Sequence, residues 1–517
     1  MTKFINKRSA IITFLIICLI RIIPVFISGK FIGMGFMNAG DADFWSYLRG
    51  AQVILETGAN PRNFFPPLNF LFIAILLYIG NGNTLIPLVA IAVTGWLTVI
   101  VVYILAKEMF GSEKTALIAA LICGLYPNFI FYGGSFYSET LALLWIVGSF
   151  LMLAKHIKSA NSIYTFFSAI LWALASQTRA GLHYFSLFIA ALLIVDVFKK
   201  EQKIKLSSGV VFLGVFWVTF FSIGIAAKPI SGENVFNSKN GVAAITLGVN
   251  RIMTPCTDYG HVKGNLFYDI NHLSGERWPT SSQIDPREIV EMRTPPAAVK
   301  LITFALQDPL TYIGNSIIKL SCFWSPNQYI ISYIKSQFPG GFITEALCFV
   351  LALIYIGIVL GGIWGLFISR DPLRSIFISF IIFYCILIFF SVGNSKLRLP
   401  LMPFFIIYCS FFLICLRDGS WRIAKSNKML AILTVVFLIN SIYKYREIRL
   451  SPPEIYVQKV ELCTSLGFPK TAISLLDHIN WYQYTLKQKE RLEASKIKAQ
   501  KMVINNLNQY HADKLVR

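Results

Sequence analysis

The sequence predicts an all-α polytopic membrane protein: a bundle of about 11–13 transmembrane helices with extracytoplasmic juxtamembrane helices and a small helical tail. Three observations predict it. The 517 residues are 55% hydrophobic and only 14% charged, against about 25% charged residues in an ordinary soluble domain. The mean hydropathy is +0.61. Apolar runs recur along the chain, and positive charge collects between them in alternate loops.

Runs able to cross about 30 Å of hydrocarbon lie near Ala10 to Ser28, Thr84 to Ala106, Thr115 to Phe131, Ser138 to Ala154, Ser162 to Ala175, Leu182 to Phe198, Ser208 to Ala227, Glu345 to Ser369, Ser375 to Ser391, Pro400 to Leu416 and Met429 to Tyr443. Leu68 to Ile79 is apolar but short. If it dips into one leaflet without crossing, one side of the membrane receives Lys3, Lys7, Arg8, Lys107, Lys114, Lys155, Lys158, Lys199, Lys200, Arg370, Arg374, Arg417 and Arg422. The positive-inside rule makes that side the cytoplasm. The net charge of +21 is then topological and calls for no nucleic acid.

The first run follows Lys3, Lys7 and Arg8 as a signal peptide would, yet it contains Arg21 and Pro24 and lacks a small-residue cleavage site, which reads as an uncleaved signal anchor. Residues 1–443 form the transmembrane domain, with outer loops over 29–67 and 229–342. The long loop carries nine Lys and Arg against eight Asp and Glu, as a translocated segment tolerates. It is rich in turn formers around Asn237 to Ser282; from Ala297 to Pro326 it reads as two amphipathic interfacial helices broken at Pro309. Residues 444–517 lack a spanning run, and helical periodicity over Ile455 to Leu466, Pro469 to Ile479 and Tyr484 to Leu507 predicts a small α-helical appendage. Most of the nine cysteines lie in or beside apolar runs, Cys256 and Cys463 excepted; no CxxC pair or Cys/His zinc spacing occurs, so neither a disulfide framework nor a structural zinc site is expected.

The chemistry-bearing residues gather at helix ends. Asp41 and Asp43 stand just beyond the first run, where a carboxylate caps the following helix, binds a metal or acts as a base. Glu139 opens a helix, either as a second acid or metal ligand or as a partner of the helix dipole. Arg179, Lys396 and Arg398 sit at outer helix ends, where they either snorkel or bind phosphate. The lone histidines His183, His261 and His272 lack metal spacing.

The spacing of Asp43, Tyr47 and Ala51, followed by Glu56-Thr57-Gly58 and Pro66-Pro67-Leu68, resembles the first outer loop of GT-C glycosyltransferases of the dolichyl-phosphate-mannose protein mannosyltransferase and aminoarabinose transferase type. Asp43 is followed by Phe44 where the family commonly has Glu, leaving Asp41 as helper or cap. The resemblance runs on through Ala106-Lys107 to Gly111, Leu125-Tyr126-Pro127 to Ser138-Glu139-Thr140, Gln177-Thr178-Arg179, Gln307-Asp308-Pro309 with Phe323-Trp324, and Arg398-Leu399-Pro400, covering roughly Met1 to Leu416. It implies an inverting glycosyltransferase of a bacterial inner membrane with its active site on the extracytoplasmic face. The donor implied is a polyprenyl-phosphate sugar of the undecaprenyl-phosphate type, the acceptor a glycan, lipid or protein. Asp43 is implied as general base, tuned by Trp45 or Tyr47, with Asp41 and Glu139 as further acids and Arg179, Arg398 and Lys396 on the donor phosphate. No cofactor is certain; a divalent metal ion is left open. Two other classes fit many spans and a large outer loop: an O-antigen polymerase or ligase, and a lipid-linked-sugar flippase.

Overall fold

A computed structural model describes residues 7–31, 42–59, 65–197, 206–231, 305–307, 309–328, 330–331, 334–335, 341–419, 428–448, 457–458, 460–461, 463–464, 469–477 and 486–516. Asp41, the polar stretch Asn237 to Ser282 and residues 297–304 lie outside them, as do the side chains of Asp43 and Trp45. Among the described residues the structure is helical, and every apolar run has its helix.

The chain divides into two compact units, one built from Met1–Gly241, Leu353–Ile386 and Arg398–Leu438, the other from Val242–Ala352, Leu387–Leu397 and Ile439–Arg517. The helices of the first half are α1 (Lys7–Phe31), α2 (Ala42–Thr57), α3 (Pro67–Ile79), α4 (Leu85–Phe110), α5 (Glu113–Leu125), α6 (Pro127–Gly133), α7 (Glu139–Ser159), α8 (Ser162–Thr178), α9 (Phe185–Val197) and α10 (Leu206–Ala226). After the long loop come α11 (Pro309–Phe323), α12 (Phe342–Ile368), α13 (Arg374–Phe390), α14 (Met402–Arg417), α15 (Lys428–Ile448), α16 (Pro469–Asp477) and α17 (Leu486–Val516).

Among the described residues six helical stretches are long and apolar enough to cross a bilayer: Leu85–Phe110, Glu139–Ser159, Ser207–Ile230, Phe342–Ile368, Ser395–Arg417 and Lys428–Tyr445. The pair α5 and α6 qualifies together but is bent by 57°, and Ile12–Ile23, Pro67–Ile79, Leu182–Ile194 and Arg374–Phe390 are shorter apolar helices. The 13 residues of α3 rise about 20 Å, less than the hydrocarbon thickness. Large apolar side chains such as Leu19, Val218, Val436 and Ile439 are more than half exposed, a surface suited to lipid rather than water.

In the first unit α7 and α8 form an antiparallel hairpin. Ala160 in the left-handed region (φ 55°) ends α7, and the Asn161 side chain accepts from Ile163 N at 3.0 Å to start α8. The two helices are pinned at mid-height by a 2.8 Å hydrogen bond between the Ser149 and Ser168 hydroxyls. Phe150, Trp172, Phe185, Phe380 and Phe404 make the aromatic core around them, with neighbouring ring centroids 4.3–6.2 Å apart. Gln177 extends the end of α8 to α10, donating from Nε2 to Phe220 O at 2.9 Å. Gly361, Gly362 and Gly365 let α12 lie backbone to backbone on Phe405, Tyr408 and Cys409 of α14, where a methyl group at Gly362 would stand 2.8 Å from Phe405 O.

In the second unit α11 begins at Pro309, as the sequence predicts. It exposes Leu310, Ile313 and Ile317 and buries Ser316 and Lys319, an apolar-out arrangement that fits a helix lying against lipid. Ser316 Oγ and Lys319 Nζ both donate to Phe389 O, at 2.9 and 3.2 Å. In the tail, α16 and α17 pack together, and Arg491 forks onto Glu461 with bonds of 2.7 and 2.6 Å. Cys322 is disulfide-bonded, while the other described cysteines are free. The spacing indicates no disulfide framework, and among the described cysteines this is the one bridged. A bridge depends on spatial approach, which spacing along the chain does not report.

Candidate active site

The hairpin α7–α8 brings an acid and a base to one end because the helices run antiparallel. Glu139 occupies the first turn of α7, where a negative charge meets the helix dipole favourably, and Arg179 closes the last turn of α8, where a positive one does. Arg179 leaves the helix with extended backbone (φ −137°, ψ 124°). Its Nη1 donates to Glu139 Oε1 at 2.7 Å, with side-chain exposures of 11% and 2%. A pair this dry holds each partner through the other. The Tyr384 hydroxyl of α13 lies against the same guanidinium.

One residue before Glu139, Ser138 takes no capping bond of its own and instead accepts a hydrogen bond from Tyr47 Oη at 3.2 Å. Tyr47 is buried, with Phe65 and Phe70 at ring-centroid distances of 4.8 and 5.0 Å. Asn69, one residue before Phe70, donates from Nδ2 to Phe136 O at 3.1 Å, joining α3 to the loop that leads into α7. Asp43 is the second residue of α2, one helical turn ahead of Tyr47. The backbone therefore places the implied base on the helix whose next turn touches Ser138.

Arg398 forms a second cationic locus within the same unit. The 3-10 turn Ser395–Leu401 leads into α14, and Arg398 is 1% exposed there. Its guanidinium carbon lies 4.0 Å from the centre of the Tyr355 ring. Tyr126, at the break between α5 and α6, feels the same charge, and its hydroxyl accepts from Asn128 Nδ2 at 3.3 Å. Lys396 belongs to the other unit; it is half-buried, and its backbone N–H donates to Asn394 Oδ1 at 2.7 Å.

Of the residues singled out in the sequence, the structure brings together Tyr47, Glu139 and Arg179 and buries Arg398. Glu139 and Arg179, read separately as acid and phosphate ligand, are each other's partner. Among the described residues no three His, Cys, Asp or Glu side chains come together as a metal-binding set. Tyr355, Tyr384 and Arg21 were not drawn into the site by the sequence; only Arg21, a charge inside an apolar run, carried a visible signal.

Residues 65–222 match the family model described as dolichyl-phosphate-mannose-protein mannosyltransferase. Among solved structures, the chain is similar to the archaeal oligosaccharyltransferase AglB from Archaeoglobus fulgidus in complex with an inhibitory peptide and a dolichol-phosphate, at 13% identity over 96% of this chain and 60% of that one, with a TM-score of 0.44. The apo form of an Archaeoglobus fulgidus oligosaccharyltransferase gives 14% identity, 95% and 60% coverage and a TM-score of 0.47. ArnT from Cupriavidus metallidurans bound to undecaprenyl phosphate gives 11%, 80% and 79%, and a TM-score of 0.37. The chain thus spans 60% of the length of the two oligosaccharyltransferases. A comparison with curated proteins finds no match. Ser138, Glu139 and Arg179 fall inside the matched segment, and over residues 65–222 the chain is similar to the dolichyl-phosphate-mannose-protein mannosyltransferases, a GT-C glycosyltransferase family.

Proposed function

We propose that this protein is an inverting glycosyltransferase that moves a sugar from a polyprenyl-phosphate donor of the undecaprenyl-phosphate type to a glycan, lipid or protein acceptor on the extracytoplasmic face of a bacterial inner membrane. The observation that carries the reading is the junction of Tyr47, Ser138, Glu139 and Arg179 at one end of the α7–α8 hairpin, the last three of which lie inside the segment similar to the dolichyl-phosphate-mannose-protein mannosyltransferases. Two features support the outward orientation: the positive-inside charge pattern, and the disulfide at Cys322, a bond that persists in oxidising compartments.

A sugar on a polyprenyl phosphate already has an activated anomeric carbon, so the protein must deprotonate the acceptor, align it and stabilise the departing phosphate. Asp43 takes the acceptor hydroxyl proton as the oxygen attacks the anomeric carbon. The bond from that carbon to the phosphate oxygen breaks with its electron pair, leaving polyprenyl phosphate. Arg398, with Arg179, meets the phosphate charge through the planar guanidinium fork. Glu139 holds Arg179 in place, and Tyr47 ties α2, which carries Asp43, to Ser138. Asp41 and Trp45 flank the base.

The test uses the full chain in lipid nanodiscs with a panel of polyprenyl-phosphate sugars, scoring release of polyprenyl phosphate. Asp43→Asn, correctly inserted, is expected to lose about 10²–10⁴-fold in rate. Transfer at the wild-type rate would sink the assignment of the base.

A further inference from the structure

Arg21 lies in the first apolar helix, more than three turns beyond Lys7 and Arg8 at its N-terminal end, and is 2% exposed. With Ile17 and Val25 it forms the buried stripe of α1. An arginine at membrane depth is costly unless protein groups take its hydrogen bonds. Its Nη2 donates to Cys123 O at 3.0 Å, and Nε has no hydrogen-bond partner. The guanidinium is cradled by glycine: a methyl group at Gly95 of α4 would meet Nη1 at 2.5 Å, and one at Gly133 of α6 would stand 3.8 Å away.

The identity of the acceptor explains the arrangement. In an uninterrupted helix the Cys123 carbonyl accepts from the N–H four residues on. That residue is Pro127, which has no N–H. The same proline opens α6 after the 57° bend. Arg21 therefore supplies, from a different helix, a donor to a carbonyl that the break empties. The bend in turn sets two parts of the candidate site: Tyr126, at the break itself, lies beside Arg398, and the segment beyond it leads through Phe136 to Ser138 and Glu139.

We propose that Arg21 is a positioning residue for sugar transfer: by donating to the carbonyl that Pro127 leaves without a donor, it fixes the α5–α6 break and so the placement of Tyr126 against Arg398 and of Ser138–Glu139 against Tyr47 and Arg179. The role in transfer rests on the glycosyltransferase reading; the contact itself does not.

The experiment compares Arg21→Met, Arg21→Lys, Pro127→Ala and the pair Arg21→Met/Pro127→Ala as full chains in nanodiscs. Hydrogen exchange over peptides spanning residues 124–133 reads the bend, and steady-state transfer from a polyprenyl-phosphate sugar reads the site. Arg21→Met is expected to speed exchange by about tenfold and to lower kcat by up to about 100-fold, the scale of a 1 Å misplacement, with a smaller change in KM. Arg21→Lys, which keeps a donor, restores part of both. Pro127→Ala supplies the missing N–H, so adding it to Arg21→Met recovers the exchange protection. Wild-type exchange in Arg21→Met overturns the proposal, as does faster exchange with unchanged transfer. If Arg21→Met does not fold alone, recovery of monodisperse protein on adding Pro127→Ala supports the proposal and failure to recover overturns it. Absence of transfer by the wild-type chain on every donor would sink the functional reading, while the exchange measurements still decide whether Arg21 holds the bend.

Discussion

Glu139 and Arg179, forty residues apart in sequence, close on each other at 2.7 Å across the open end of a helical hairpin. Neither side chain has solvent to fall back on, so each is the condition for burying the other. Removing either partner alone is expected to cost about 3–5 kcal/mol, whereas removing both leaves no stranded charge. The check is a double-mutant cycle on Glu139→Gln, Arg179→Gln and the pair, read by thermal melting in detergent. Each single variant melts well below the wild type and the pair melts above both. Additive losses would show that the two do not act through each other.

Arg398 is oriented by a ring as well as by its backbone. With its guanidinium carbon 4.0 Å from the centre of the Tyr355 ring, the contact is expected to contribute about 0.5–2 kcal/mol. Tyr355→Phe should therefore keep donor KM near the wild-type value, and Tyr355→Leu should raise it several-fold. Arg398→Lys should not restore what Arg398→Ala loses, because an ammonium lacks the planar face and the fork. Donor and acceptor titrations measure this. Equal effects of Arg398→Ala on both substrates would count against a phosphate role.

At Gly365 a side chain has nowhere to go. A methyl group there would overlap the Tyr408 carbonyl, which is backbone and cannot rotate away. Gly365→Ala is expected to destabilise the protein by at least about 1–3 kcal/mol, while Gly357→Ala in the same helix, where a methyl group meets nothing within 4 Å, should be near neutral. Melting temperatures of the two variants side by side make the comparison.

Lys319 offers a pH dependence with a definite sign. Burial pushes its amine down to about 8, from an ordinary value of about 10.4. Between those values the folded chain binds fewer protons than the unfolded one, so stability rises as pH is raised through that window, and the cost of burying the charge is fully present below it. Wild-type protein should gain melting temperature from pH 7 to pH 9 relative to Lys319→Met. Parallel curves would show that the amine is already neutral or solvated.

Much of the fold is legible in the sequence, because a bilayer forces backbone groups to pair within the segment and so makes apolar run and helix nearly the same thing. The helices Pro469–Asp477 and Leu486–Val516 follow from periodicity in the same way. What hydropathy does not carry is direction. The run Thr115 to Phe131 reads as one span, yet Pro127 breaks it by 57°, since a window average is indifferent to the loss of one N–H. The site is legible in kind and not in pairing. Glu139 and Arg179 stand out in the sequence as charges at helix ends, but only the antiparallel packing of α7 on α8 makes one the counterion of the other. Tyr355 and Tyr384 lie deep in apolar runs, where a tyrosine looks like any other aromatic until an arginine is placed beside it.

The glycine contact between α12 and α14 bears on how the proposed polyprenyl-phosphate donor would reach the protein. With Gly361, Gly362 and Gly365 bringing one backbone onto the other, that seam is closed to a lipid chain, and the helix that follows the Arg398 turn is clamped over its first half. Arg398 is thus a stationary post rather than a swinging arm. On the proposed reading, a polyprenyl-phosphate donor would reach that post along another face of the bundle.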